Sequence, residues 1–149
     1  MVATPPGSRA DYSAFRHIPT RWLDNDAYGH VNNIVYYSWF DTAVNALLVE
    51  SGLLDIQHGA TIGLVVETGC RYHRSVAFPE IVEAGVRIAR LGISSVRWEV
   101  GIFTAGHESA AAEGFFVHVY VDRTTRRPAR LPELWRRTLA VLDSPEPTL

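Results

Sequence analysis

The segment from Asn32 to about Glu50 constrains this chain more than any other, because its apolar surface is too broad for a helix lying on the outside of a protein. On a helical wheel Tyr36, Phe40, Ala43, Val44, Leu47 and Leu48 share one wide face, and Val35, Trp39 and Ala46 carry it further round. Ser38, Asp41, Thr42 and Asn45 form a narrow polar wedge. A helix of this kind has to be enclosed by other structure. Ser51-Gly52 supplies its stop signal.

The rest of the chain offers the enclosure. After a loop through Leu53–Thr61 the hydrophobic period changes from helical to two. In Glu80–Leu91, Val82, Ala84, Val86 and Ile88 point one way while Glu83 and Arg87 point the other. Val96, Trp98, Val100 and Ile102 alternate with Arg97 and Glu99 across Ser94–Thr104. Further on, Phe115, Val117, Val119 and Val121 alternate with His118 and Tyr120, and Gly63–His73 is a further strand with weaker alternation. Gly92 and Ala105-Gly106 lie where hairpin turns need permissive backbone. Phe15–Trp22 reads as a first strand, weakened by His17 and Pro19. Pro132–Leu142 resumes a helical pattern with proline at its start. The order predicts an α+β fold: one long central helix wrapped by an antiparallel sheet of about five strands, closed by a short C-terminal helix. Such a sheet leaves edges to manage, so self-association is expected.

Composition narrows the function classes. A chain of 149 residues makes one domain, 1–149, with the segments 1–12 and 143–149 expected to be loose. A net charge of −2 gives no broad attraction to nucleic acid or to an anionic membrane. All 14 basic residues are arginine. The single cysteine, Cys70, excludes an internal disulfide and fits a reducing compartment. The opening MVATPPGSRA lacks the apolar stretch of a signal peptide, and no apolar run is long enough to span a bilayer, so a cytoplasmic protein is expected.

The chemistry concentrates in RWLDNDAYGHVNNIVYYSWFD, Arg21–Asp41, where acidic side chains and a glycine precede the apolar helix. Asp26 would sit beside the positive end of that helix. A carboxylate next to unpaired backbone N–H groups is a plausible site for attack on a polarised carbonyl. The run Asp24-Asn25-Asp26-Ala27-Tyr28-Gly29-His30-Val31-Asn32-Asn33, with Tyr37 and Asp41, resembles the 4-hydroxybenzoyl-CoA thioesterase family. More narrowly it is similar to the acyl-CoA thioesterase branch with a D-x-D-x-x-G-H-V-N-N signature. LGISSVRWEV and VYVDRTTRRPARLP extend the likeness over most of the chain.

The resemblance implies the hotdog fold, paired into homodimers or homotetramers, and hydrolysis of an acyl-CoA thioester with no cofactor and no metal. It implies that Asp26 is the catalytic carboxylate, as nucleophile or as general base on water. The Asn33 backbone N–H would polarise the carbonyl, and Gly29 would let the chain turn tightly enough to present it. Tyr28, His30, Val31 and Asn32, together with Ser94 and Ser95 near the pantetheine, are the implied substrate contacts.

Each residue also has a structural reading. Asp26 alone would be a cap or turn residue. Asp24 reads as a turn residue, His30 as packing near the helix start, and Asn32 and Asn33 as side-chain caps. Asp41 is read as hydrogen-bonded to Ser38 or a neighbouring strand. Glu67, a catalytic position in some hotdog enzymes, is read as a partner-strand ion pair. Ser94 and Ser95 would otherwise bond within a turn. Arg74, Arg90, Arg97, Arg126 and Arg127 are candidates for the coenzyme A phosphates, or members of a solvated face.

Rival chemistries find less support. The chain has no G-x-S-x-G elbow, no paired histidine ligand motif and no phosphate-cradling glycine loop. Cys70 with His73 is too slight for a cysteine nucleophile. A hotdog hydratase would need D-x-N-P-x-H, which is absent here. An acyl-carrier-protein thioesterase and a non-catalytic acyl-CoA binder on the same scaffold remain as alternatives.

Overall fold

The structure, a computed structural model, describes residues 4–143. In chain order its elements are β1 (Ala14–Pro19), α1 (Val35–Glu50), β2 (Thr61–Tyr72), β3 (Ile81–Leu91), β4 (Ser95–Thr104), β5 (Ala112–Asp122) and α2 (Glu133–Ala140). The five strands form one antiparallel sheet in the order β1-β3-β4-β5-β2. Strands β3, β4 and β5 are hairpin neighbours, as their turn glycines predict. β2 instead crosses to the far edge and pairs with β5. This is the α+β hotdog arrangement, with α1 as the filling.

α1 buries Tyr36, Trp39, Phe40, Ala43, Val44 and Leu48, which matches the wide face read from the periodicity. Against it lie Val82, Ala84, Val86 and Ile88 of β3 and Val96, Trp98, Val100 and Ile102 of β4, all fully buried or nearly so. The closest approach is at Gly114 on β5. A Cβ there would run into the Phe40 ring, so only glycine lets the helix sit this deep. Burying a side chain the size of Phe40 stabilises by roughly 1.5–3 kcal/mol.

Several expectations shift. The helix begins at Val35, three positions after Asn32, because Asn32 to Val35 form a turn of their own: the Val35 N–H donates to Asn32 O at 3.0 Å. Neither asparagine is the N-cap; that position is Ile34, although Asn32 Oδ1 does accept the Ile34 N–H at 3.1 Å. β1 stops at Pro19, and Trp22–Asp24 turns into a short 3-10 segment. On β5 the inward set is Gly114, Phe116, His118 and Tyr120, while Phe115, Val117 and Val119 are only half-buried on the outer face. Both faces of β5 carry large side chains, so its alternation does not distinguish inside from outside.

The leader is not loose where it is described. Arg9 forks onto Glu83 at 2.7 and 3.1 Å, the Gly7 N–H donates to Glu113, and Ala110 N–H donates to Gly7 O at 2.9 Å. Tyr12 lies over Gly85 and Gly101, where any Cβ would collide with its ring. Small residues on the outer face of the sheet make a seat for an aromatic anchor, and the leader follows. Asp143, at the edge of the expected loose tail, forms a bridge to Ile88. Residues 1–3 and 144–149 lie outside the described set.

His118 has a thermodynamic consequence. It is 4% exposed, its Nδ1 lies 3.2 Å from the Tyr120 hydroxyl, and burial pushes its imidazole down to about 4. Between that value and about 6.5 the unfolded chain binds a proton that the folded chain does not. Stability therefore falls as pH drops from about 6.5 towards 4, by at most about 1.4 kcal/mol per unit from this group. Urea titrations at pH 7.5 and 5.0 should show the loss, and His118→Gln should flatten that part of the profile.

Candidate active site

The loop before α1 is built to hold one carboxylate outward and another inward. Asp24 is 1% exposed, and its carboxylate accepts the Arg21 N–H at 2.7 Å and the Arg21 guanidinium at 2.8 and 3.0 Å. Asn25 pairs with Val31 in an antiparallel bridge. The chain between them reverses through a turn in which Asp26 N–H donates to His30 O at 2.8 Å and Gly29 N–H to Asp26 O at 3.1 Å. Gly29 has φ +85°, in the left-handed region that a side chain would disfavour. The turn is tied down by the Val31 N–H to Val76 O at 2.7 Å, the Asn32 N–H to Asp24 O at 2.9 Å and the Phe78 N–H to Asn25 Oδ1 at 3.0 Å.

Asp26 is half-buried, and its Oδ1 accepts the Tyr28 N–H at 2.8 Å. It lines a cavity of about 330 Å³ with His30, Val31, Asn33, Tyr36, Tyr72, His73, Arg74 and Ser75. The Asn33 N–H, two residues ahead of α1, has no hydrogen-bond acceptor among the described residues. Its carbonyl is held by the Tyr72 hydroxyl at 2.8 Å, and Tyr72 stands edge-on to Tyr36 with centroids 5.0 Å apart. Burial pushes the Tyr36 hydroxyl up to about 12, so it stays protonated at neutral pH. Asp26 and Asn33, a carboxylate residue and a residue whose backbone N–H is unpartnered among the described residues, thus line one cavity at the entrance of α1.

Two further groups complete the wall. His73 Nε2 lies 3.0 Å from Glu113 Oε2, while Glu113 Oε1 accepts the Gly7 N–H at 3.0 Å and the Tyr12 hydroxyl at 3.1 Å. Arg74 donates from Nη1 to Thr104 Oγ1 at 3.0 Å. Tyr72, His73 and Ser75 line the cavity without any site signal in the sequence. Tyr72, His73, Arg74 and Ser75 follow one another at the end of β2, but nothing in their pattern says that this strand end meets the Asp26 loop.

Other expected site residues fall elsewhere. Val31 reaches the cavity although it is mostly core. Tyr28 and Asn32 do not line it; the Tyr28 ring is 84% exposed and points to solvent. Ser94 and Ser95 lie at the β3–β4 turn, at the opposite end of the sheet, where Ser94 O accepts the Tyr120 N–H. Asp41 is exposed and bonded to Asn45 Nδ2 at 3.0 Å, rather than to Ser38 or a strand, because one helical turn brings that amide beside it. Glu67 is exposed on the edge strand β2 with no ion pair among the described residues, since β2 has no partner on that side. Arg97 stacks over the Phe115 ring at 3.9 Å on the outer face. Cys70 is half-buried, and burial pushes its thiol up to about 11, which removes it as a nucleophile. Among the described residues no group of three His, Cys, Asp or Glu is placed to hold a metal ion, and no helix is long and apolar enough to cross a membrane.

Fold and site together define a hotdog protein with a carboxylate at the helix entrance. The chain belongs to the thioesterase-like superfamily, whose family model matches residues 20–139. It is similar to the PA5185 protein of Pseudomonas aeruginosa, at 53% identity and TM-score 0.91 over 94% of this chain and 98% of that one. PA2801, a proposed thioesterase from the same organism, is 30% identical at TM-score 0.79, over 85% of this chain and 98% of its own. A thioesterase of Thermus thermophilus, determined with coenzyme A and zinc, is 29% identical at TM-score 0.74, over 89% and 96%. No curated protein matches.

The two acids of the loop separate by stability. Asp24→Ala should lower it by about 1–3 kcal/mol, since several backbone and guanidinium donors lose a buried acceptor. Asp26→Ala should change it by less than about 1 kcal/mol. Chemical denaturation of both variants reads the difference, and equal losses would mean that Asp26 too is a structural residue.

Proposed function

We propose that this chain is an acyl-CoA thioesterase of the D-x-D-x-x-G-H-V-N-N branch, hydrolysing an acyl thioester to free acid and coenzyme A. The observation that carries this reading is the joint presence of the Asp26 carboxylate and the unpartnered Asn33 N–H in one cavity. Asp26 attacks the thioester carbonyl carbon itself, or takes a proton from the water that does. Asn33 N–H, reinforced by the helix dipole, stabilises the oxygen as charge develops on it. The C–S bond then breaks, with coenzyme A thiol a good enough leaving group to need little acid assistance; on the direct route this leaves a mixed anhydride on Asp26, which water hydrolyses to the free acid. No cofactor beyond the coenzyme A carried by the substrate enters the reaction, and the cytoplasm, where that carrier is abundant, is its setting.

Thiol release from a panel of acyl-CoAs tests the proposal. Wild type should release thiol from at least part of the panel, and Asp26→Asn should lower kcat by about 10²-fold or more, as loss of a covalent or proton-transfer group does. A protein that binds acyl-CoA without releasing thiol would be a binder on this scaffold. Release confined to acyl-carrier-protein substrates would change the carrier.

The reading includes a homodimer formed through the free edge of β2. Leu64, Val65 and Val66 are 38%, 51% and 61% exposed along that edge, an apolar row with unpaired backbone groups. Antiparallel pairing of two such edges carries the Ser94–Ser95 turn of one protomer towards the cavity of its partner, which restores those serines to the substrate path. Val66→Lys, a charge on the edge, should convert a dimer to a monomer by light scattering. A dimer of undiminished stability would place the interface elsewhere.

A further inference from the structure

The wall of the Asp26 cavity includes a cation, Arg74, that forms no ion pair with a carboxylate among the described residues. Arg74 lines the cavity, and its guanidinium donates from Nη1 to Thr104 Oγ1, a residue 1% exposed. Among the described residues its Nη2 is buried without a hydrogen-bond partner, and no carboxylate forms an ion pair with Arg74. Arg74 as a whole is half-buried, so the rest of its guanidinium carries a positive charge to the cavity wall with no carboxylate paired to it. Anchored at one end and unsatisfied at the other, it is suited to an anion brought in from outside.

The lining says which kind. Asp26, His30, Asn33, His73, Arg74 and Ser75 present polar groups, and Val31 is the single aliphatic side chain beside two tyrosines. Pockets for plain alkyl chains are mostly apolar, which this one is not. The part of the pocket that this chain walls is about 330 Å³, near the small end of the roughly 300–1,000 Å³ typical of ligand pockets, which favours a short group. With Asp26 at the thioester carbonyl, the whole pantetheine arm separates the reacting carbon from the coenzyme A phosphates. Arg74, in the same small cavity as Asp26, therefore faces the acyl side.

Resting on the thioesterase reading, we propose that Arg74 is a specificity-determining residue that pairs with a carboxylate at the far end of a short acyl chain. The preferred substrates are then monothioesters of dicarboxylic acids. The Arg74 fork takes the carboxylate, Thr104 holds the fork, and the polar wall tolerates the chain between carboxylate and thioester.

Adipoyl-CoA and hexanoyl-CoA differ in this end group and form the test pair. Wild type should show a kcat/KM for adipoyl-CoA roughly 10- to 100-fold above that for hexanoyl-CoA, the worth of a charge-assisted hydrogen bond. Arg74→Met should bring the ratio to about one or below, and Arg74→Lys should recover part of it. The ratio is the readout, because a loss of folding alone lowers both substrates together. A wild type without the preference overturns the proposal even if no variant folds, and so does a preference that survives Arg74→Met. An equal fall on both substrates also overturns it, placing Arg74 at the reacting carbonyl or in the framework. If no acyl-CoA is hydrolysed, the thioesterase reading fails by itself, and calorimetry with free adipate and hexanoate decides this one. Tighter adipate binding that is lost in Arg74→Met supports an anion site; equal binding removes it.

Discussion

The depth at which α1 sits in the sheet governs the rest of this structure. Phe40 reaches the backbone of β5 because Gly114 has no side chain, and the helix cannot retreat without opening a void beneath a fully buried ring. Its first turn is then placed against the end of β2, where Tyr72 takes the Asn33 carbonyl. The direction of the free Asn33 N–H follows from packing some two turns further along the helix. The backbone at Asn33 is thus positioned by the packing of the core.

The loop ahead of the helix works under a second constraint. Its two acids look alike in sequence but differ in burial. Asp24 turns inward to Arg21 and holds the loop shut, which leaves Asp26 half-buried at the cavity. Anchors from Val31 to Val76 and from Phe78 to Asn25 bind the loop to the segment entering β3. The outer face contributes as well. Glu113 joins the leader, through Gly7 and Tyr12, to His73 on the cavity wall. The leader segment thus braces one side of the site from the far face of the sheet.

Much of this was legible beforehand, for identifiable reasons. The helix, the strands β3 and β4 and their turns rest on local periodicity and on glycines with one plausible use. The inward face of β5 was not legible, since Phe115, Phe116, Val117, His118, Val119 and Tyr120 offer bulky groups on both sides. The partners of Asp41 and Glu67 were misjudged because each depends on a neighbour fixed only in three dimensions: Asn45 for the first, and a missing strand for the second. The leader reads as loose by composition, yet Tyr12 finds a seat made by Gly85 and Gly101, distant from it in sequence.

By itself the sequence determined the element types, the enclosed helix, the sharp turn at Gly29 and the pairing of an acid with a helix entrance, because each depends on residues close together along the chain. Only the tertiary structure decided that β2 crosses to the free edge, bringing Tyr72, His73 and Arg74 to the Asp26 loop. It also decided that Ser94 and Ser95 lie at the other end of the sheet and that the half-buried Arg74 has no ion-pair partner among the described residues. The division has a physical cause: periodicity and capping act over a few residues, whereas strand order and the surroundings of a buried charge are set by contacts between segments that no local pattern specifies.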